Sequence, residues 1–254
     1  MGSGLLEGKA CVILGATGEV GRETALLFAS EGASLLLSGR RAEVLAVLAE
    51  ECRRRGARAE ALPLDLTRPG AERALAEAVS RAFGRLDVLI SYVGYPLEPE
   101  VWYRGIGEVG EDELVKILNV DLLSSFRAVK ALLPLLGGGV LILTSSTPAL
   151  SWYRFGSAYS IAKLAVVGLV RAVAAEYKRY RVRAYALALG NIKTSATYDV
   201  LREDERAALA EESPMGRWGE PSEVAKVALA LASDLFSFVN GQVIVVDGGT
   251  LMLG

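Results

Sequence analysis

The chain has 254 residues, 52% of them hydrophobic, with a formal net charge of −2 and no histidine. That length and apolar share suit a single α/β domain with a large core, and the near-neutral charge offers no basic field for nucleic acid or an anionic membrane. Without histidine, Ser-His-Asp and Cys-His catalysis are excluded, and two cysteines alone cannot build a zinc site, so no metal is expected. Acid–base chemistry must then fall to Tyr, Lys, Asp, Glu or Cys.

Short apolar runs alternate with longer amphipathic stretches along the whole chain. In order, the pattern predicts strand 10–14, helix 18–30, strand 34–38, helix 42–55, strand 58–62, helix 71–83 and strand 86–91. Helix 111–136, strand 140–144, helix 157–179, strand 182–187, helix 222–232 and strand 243–246 come after these. Such alternation implies βαβ units and a Rossmann-type, doubly wound parallel sheet of about seven strands with helices on both faces. The strands read as nearly continuous apolar runs, as a sheet covered on both sides requires. No repeat, linker or change of composition interrupts the series, so residues 1–254 are expected to form one domain.

Two segments break the rhythm. Residues 95–110 form a long loop rich in Pro, Gly and aromatics, and residues 195–213 carry a polar helical pattern. Both lie beyond the carboxyl ends of strands, where open α/β sheets bind ligands, which makes them candidate pocket walls and a lid.

Mean hydropathy is +0.33. The best spanning candidate, residues 164–175, is short and contains Arg171, so it reads as a buried helix rather than a membrane span. The N-terminus has no basic segment followed by an apolar run, so no signal peptide is expected. Cys11 lies in the first strand and reads as core; Cys52, followed by three arginines, reads as helix surface. Neither suggests a disulfide framework, which fits a cytoplasmic protein. Asn and Gln together number four, a scarcity that suits a thermophile or a GC-rich genome equally.

Directly after the first strand come Gly15, Ala16, Thr17, Gly18, Glu19, Val20 and Gly21, and then a helix. Glycines in such a strand-to-helix turn let the backbone approach a pyrophosphate, which rests on the N–H groups and positive end of the helix. After the second strand come Ser38, Gly39, Arg40 and Arg41. An acidic residue there would hold the ribose hydroxyls of NAD; two arginines can instead pair with the 2′-phosphate of NADP, so NADP is expected over NAD.

Thr144, Ser145 and Ser146 close the fifth strand, and Tyr159-Ser160-Ile161-Ala162-Lys163 opens a long helix. A tyrosine and a lysine four apart share one helix face. Together with the glycine turn, this set resembles the short-chain dehydrogenase/reductase family, over essentially the whole chain. The resemblance implies oxidoreductase chemistry on a small carbonyl or alcohol. It makes Ser146, Tyr159 and Lys163 catalytic, with Asn119 as the fourth catalytic residue, holding a water that links Lys163 to solvent. It places the cofactor against Gly15, Thr17, Gly18, Val20, Gly21, Ser38, Arg40, Arg41, Asp65, Leu66, Val93 and Gly94, and against Tyr159, Lys163, Ile192 and Thr194. Asp65 would bond the adenine, and Ile192 and Thr194 the nicotinamide amide. Asn240-Gly241 and Asp247-Gly248-Gly249 match the family's C-terminal strand signature. Relatives point to 3-oxoacyl thioester reductases or sugar and alcohol dehydrogenases, working as homotetramers or homodimers.

Three positions depart from that pattern. Glu19 stands where the family's turn has glycine, and is expected to face solvent. Ser91-Tyr92-Val93-Gly94 replaces Asn-Asn-Ala-Gly, and Leu189-Gly190 replaces Pro-Gly.

A carbonyl accepting hydride develops negative charge on oxygen, which needs a proton and a hydrogen-bond donor. The resemblance gives the proton to Tyr159, the donor role to Ser146, and to Lys163 the ribose hydroxyls and support of the phenolate. Trp102, Tyr103, Trp152, Tyr153 and Phe155 are expected near the pocket mouth. Two alternatives stand beside this reading: an idle NADP-binding sensor or scaffold on the same fold, and an epimerase or dehydratase using the same site. Helices 111–136 and 157–179 carry apolar residues on more than one face, which suggests subunit contacts.

Overall fold

The computed structural model describes residues 4–96, 98, 102–151 and 153–252. Strands β1 (Ala10–Leu14), β2 (Ser34–Gly39), β3 (Ala59–Pro63), β4 (Val88–Ser91), β5 (Val140–Ser146), β6 (Arg183–Leu189) and β7 (Gln242–Val246) form one sheet in the order β3-β2-β1-β4-β5-β6-β7. Every pairing is parallel. The order reverses between β1 and β4, and a crevice opens at the carboxyl ends of strands where this happens.

Successive side chains of a strand point to opposite faces. Cys11 and Ile13 therefore pack beneath α1 (Glu19–Ser30) and α2 (Ala42–Arg54), whose Phe28, Leu45 and Leu48 are buried with them. Val12 and Leu14 face the other layer, with Leu75 and Val79 of α3 (Ala71–Phe83).

The expected helix 111–136 is interrupted. It consists of α4 (Glu111–Leu118), a wide π-helical turn Asn119–Leu123, α5 (Ser124–Leu132) and a short tight turn Leu133–Leu135. An added residue in one turn widens it and changes the phase of the helix beyond it. Next come α6 (Ser157–Glu176), α7 (Glu203–Glu211) and α8 (Pro221–Ala232). Helix α6 is the one described helix long and apolar enough by composition to cross a membrane. It packs on β5 and β6 and buries Val166, Val167 and Val170 in the core.

Cys52 corrects the surface expectation. It is fully buried, in phase with Leu45, Leu48 and Ala49 on the inward stripe of α2, while the arginines after it leave by other faces. Burial pushes its thiol up to about 11.

Candidate active site

The glycine turn is built by close approach. Gly15 has φ +75°, and a Cβ there would lie 2.9 Å from the backbone carbon of Tyr92. A Cβ at Gly21 would lie 2.4 Å from the Gly15 carbonyl oxygen. Gly18 caps α1 with no side-chain hydrogen bond, so the positive end of α1 faces the crevice uncapped. Behind the turn, the Tyr92 hydroxyl lies 2.8 Å from Thr24 Oγ1 of α1; the tyrosine that departs from the family pattern thus clamps β4 to the first helix. Burial pushes its phenol well above the ordinary tyrosine range.

At the end of β2, Ser38 is buried and its hydroxyl has no partner among the described residues. Arg40 and Arg41 are exposed, and one Arg41 nitrogen donates to the Thr17 carbonyl, bracing the turn. Asp65 sits after β3, where the Thr67 hydroxyl and backbone N–H donate to it at 2.6 and 3.0 Å. The Thr67 hydroxyl, above all, holds its carboxyl below the usual range, and the charge of Arg40 adds to this. Leu66 beside it is buried. An uncapped helix end, two arginines beyond β2 and an orphaned buried hydroxyl are the donor set a dinucleotide phosphate and ribose need.

Glu19 is exposed, as expected, yet engaged: its carboxylate accepts the Ser195 backbone N–H. Val20, next along, packs partly buried against the core. Ile192 is buried and bridges to Gly219, while Thr194 and Thr197 share a hydroxyl contact of 2.8 Å. Gly190 lies so close to Asp247 that a Cβ would be 2.4 Å from the aspartate Cβ.

The other half of the crevice joins β4, β5 and α6. Lys163 is buried at 3% exposure, its ammonium 3.4 Å from the Thr144 carbonyl and 5.6 Å from the centre of the Tyr159 ring. Ser145 anchors α6 by donating to the Lys163 carbonyl at 2.9 Å. The Ser146 hydroxyl donates to the Leu189 carbonyl at 3.2 Å. A Cβ on Gly94 would lie 3.1 Å from Lys163 Nζ, so glycine is what lets β4's end pass over the ammonium. Val93 beside it packs on the core.

Asn119 makes no hydrogen bond to this group among the described residues. It stands at the start of the π turn, and its side-chain oxygen accepts a hydrogen bond from Arg127 at 3.0 Å. The polar side chain against Lys163 is that of Asp121, 2.5 Å from Nζ. The signal for it was a lone acidic residue inside the apolar run Val120-Asp121-Leu122-Leu123.

Among the aromatics, Trp102 packs edge-on against Tyr159 at 5.8 Å and Tyr153 at 5.9 Å between ring centres, and Tyr103 meets Phe155 at 6.1 Å. Trp152 lies outside the described residues. A cavity of about 520 Å³ lies beside α7, lined in part by Lys193, Tyr198, Arg206 and Trp218; it shares no residue with the Tyr159–Lys163 group.

A parallel sheet with a glycine turn at its switch point and a tyrosine–lysine pair across the crevice defines a dinucleotide-dependent oxidoreductase. The chain belongs to the short-chain dehydrogenase/reductase family, whose members use NAD or NADP and act on alcohols and carbonyls. Residues 15–250 match the family model described as enoyl-(acyl carrier protein) reductase. The chain is 32% identical to the 3-oxoacyl-(acyl-carrier-protein) reductase of Thermotoga maritima, over 97% of this chain and 99% of that one. A 7α-hydroxysteroid dehydrogenase solved with NADH and 7-oxo glycochenodeoxycholic acid superposes with a TM-score of 0.90 at 27% identity, covering 97% and 96% of the two chains. The 3-oxoacyl-(acyl-carrier protein) reductase of Brucella melitensis gives 0.89 at 28% identity, covering 98% and 93%.

Proposed function

We propose that this protein interconverts a small carbonyl compound and its secondary alcohol with NADP as the preferred cofactor. The observation that carries this is the Lys163 ammonium buried 5.6 Å from the Tyr159 ring, at the carboxyl ends of β4 and β5. The nicotinamide supplies the hydride; the protein positions the partners and handles the proton.

Tyr159 gives the proton to the developing alkoxide in reduction and takes it in oxidation. Ser146 donates a hydrogen bond to the same oxygen. Lys163 binds the ribose hydroxyls and favours negative charge on the phenol oxygen by its own positive charge. Ile192 and Thr194 hold the nicotinamide amide, and Asp65 and Leu66 the adenine side. Arg40 and Arg41 receive the 2′-phosphate.

Trp102, set edge-on against Tyr159, supports an apolar, aromatic wall for the substrate, a 3-oxoacyl thioester, a sugar or another alcohol. Val115 and Phe126 on α4 and α5, and Ile161 and Leu164 on α6, are exposed apolar side chains. They favour a homodimer or homotetramer, which mass measurement in solution tests.

The test of function is a carbonyl and alcohol panel run separately with NADPH and NADH, on wild type and Tyr159→Phe. Turnover with NADPH is expected, and its loss by at least about a hundredfold in the variant, with NADPH binding retained. Quenching of NADPH fluorescence without turnover on any substrate would favour a sensor, and product without net cofactor consumption an epimerase.

A further inference from the structure

The π turn carries Asp121 to the floor of the crevice, where it is 1% exposed beside a lysine that is 3% exposed. One carboxylate oxygen lies 2.5 Å from Lys163 Nζ. The other accepts the backbone N–H of Tyr95, the first residue of the mouth loop, at 2.8 Å. A Cβ on Gly94 would come within 3.4 Å of the first oxygen, so the β4 end closes over the pair. Three segments distant in sequence therefore meet on one carboxylate.

We propose that Asp121 is a positioning residue of the hydride-transfer site: it holds the Lys163 ammonium, charged, beside Tyr159 and ties it to the loop that forms the pocket mouth. The proposal rests on the reading of Tyr159 and Lys163 as the reacting pair.

A buried ammonium without a counter-ion tends to lose its proton, because desolvation penalises the charged form. From β5, the Lys163 ammonium meets the Thr144 carbonyl, a neutral group. The ionisable groups that bear on it are Asp121 from the π turn and Tyr159 on its own helix. Burial works against its charge, yet Asp121 and then Tyr159 outweigh it and hold Lys163 above the ordinary lysine range. A neutral amide in place of Asp121 would keep an acceptor for the Tyr95 N–H while withdrawing the charge. The alkyl stem of Lys163 would stay packed, but its ammonium would be charged only at lower pH.

Asp121→Asn, which is isosteric, tests this, with Asp121→Glu as the variant that keeps the charge. Lysines are reductively methylated with a carbon-13 label, and the Lys163 signal is assigned by its absence in Lys163→Met. In Asp121→Asn that signal is expected to titrate at least about three pH units lower than in wild type, and in Asp121→Glu close to wild type. Turnover of Asp121→Asn should lie within about twofold of wild type at pH 6 and fall about tenfold below it at pH 9. The sign comes from the charge: the ammonium is present below its own titration point and lost above it, and that point has moved down. A role in folding alone would lower turnover equally at every pH. Lys163 titrating alike in wild type and Asp121→Asn, or a loss of turnover independent of pH, would overturn the proposal. A wild type that turns over no carbonyl would overturn instead the reading beneath it, and the titration distinguishes the two because it needs no turnover.

Discussion

The Glu19 carboxylate shares the backbone N–H of Ser195 between its oxygens, at 2.8 and 3.1 Å. The contact joins the start of α1 to the segment after β6 and so spans the mouth of the nucleotide crevice. It also sets an anion belonging to the protein itself at the helix end that a pyrophosphate would approach. Glu19→Gln and Glu19→Gly are therefore expected to bind NADPH about three- to tenfold more tightly than wild type, as read by nucleotide fluorescence. Unchanged or weaker binding would show the carboxylate to be a bystander.

The two arginines after β2 differ in what they touch. Arg41 donates to the Thr17 carbonyl, whereas Arg40 bears on Asp65 only through its charge. Arg40→Ala should raise the Kd for NADPH by about tenfold or more and that for NADH by less than about twofold, since charge-assisted bonds to phosphate are the strong ones. Arg41→Ala should weaken both nucleotides, because it loosens the turn they share. Equal losses for both nucleotides in Arg40→Ala would remove it from the 2′-phosphate.

Gly190 lies just past β6, where a Cβ would sit 2.4 Å from the Cβ of Asp247. Asp247 in turn accepts the backbone N–H groups of Gly249 and Leu251 at 2.9 and 2.6 Å. Gly190→Ala must push the C-terminal loop away and should cost about 1–3 kcal/mol, read as a lowered midpoint of unfolding in urea. An unchanged midpoint would mean that the loop yields freely.

At the start of α8, Arg217 grips Glu223 through both guanidinium nitrogens at 2.8 Å, and the same carboxylate accepts the Glu220 N–H at 2.9 Å. The guanidinium, first, and this cap hold the Glu223 carboxyl down to about 2, against an ordinary value of 4.5. A depressed carboxyl contributes stability that is complete above its unfolded value and lost as pH falls through its folded one. Glu223→Gln should thus be less stable than wild type by about 1 kcal/mol at pH 7, the pair being solvent-screened. The difference should fade between pH 4.5 and 2; a gap that persisted at pH 2 would assign it to packing.

The sheet was legible because strands covered on both faces must be apolar throughout, and the runs at 10–14 and 140–144 stand out from their polar flanks. Tyr159 and Lys163 were legible because one helical period joins them. The π turn was not, since one added residue leaves an apolar stretch apolar while rotating everything after it. Asn119, at the start of that turn, bonds Arg127, and Asp121, two residues into it, takes the cleft. The three arginines that follow Cys52 mask its phase with Leu45 and Leu48 on the inward stripe of α2. The Glu19–Ser195 contact joins residues 176 apart, a distance at which no local pattern carries a signal.

The hydroxyl contact between Tyr92 and Thr24 lies behind the turn proposed to receive the nucleotide's phosphates. It fastens the strand end that covers the lysine to the helix after that turn, so the two ends of a bound dinucleotide would bear on one block. A change made to suit a different nucleotide tail would consequently be felt as a displacement at the reacting carbon. On the proposed reading, selectivity for the coenzyme and the speed of the chemistry would be mechanically linked in this chain.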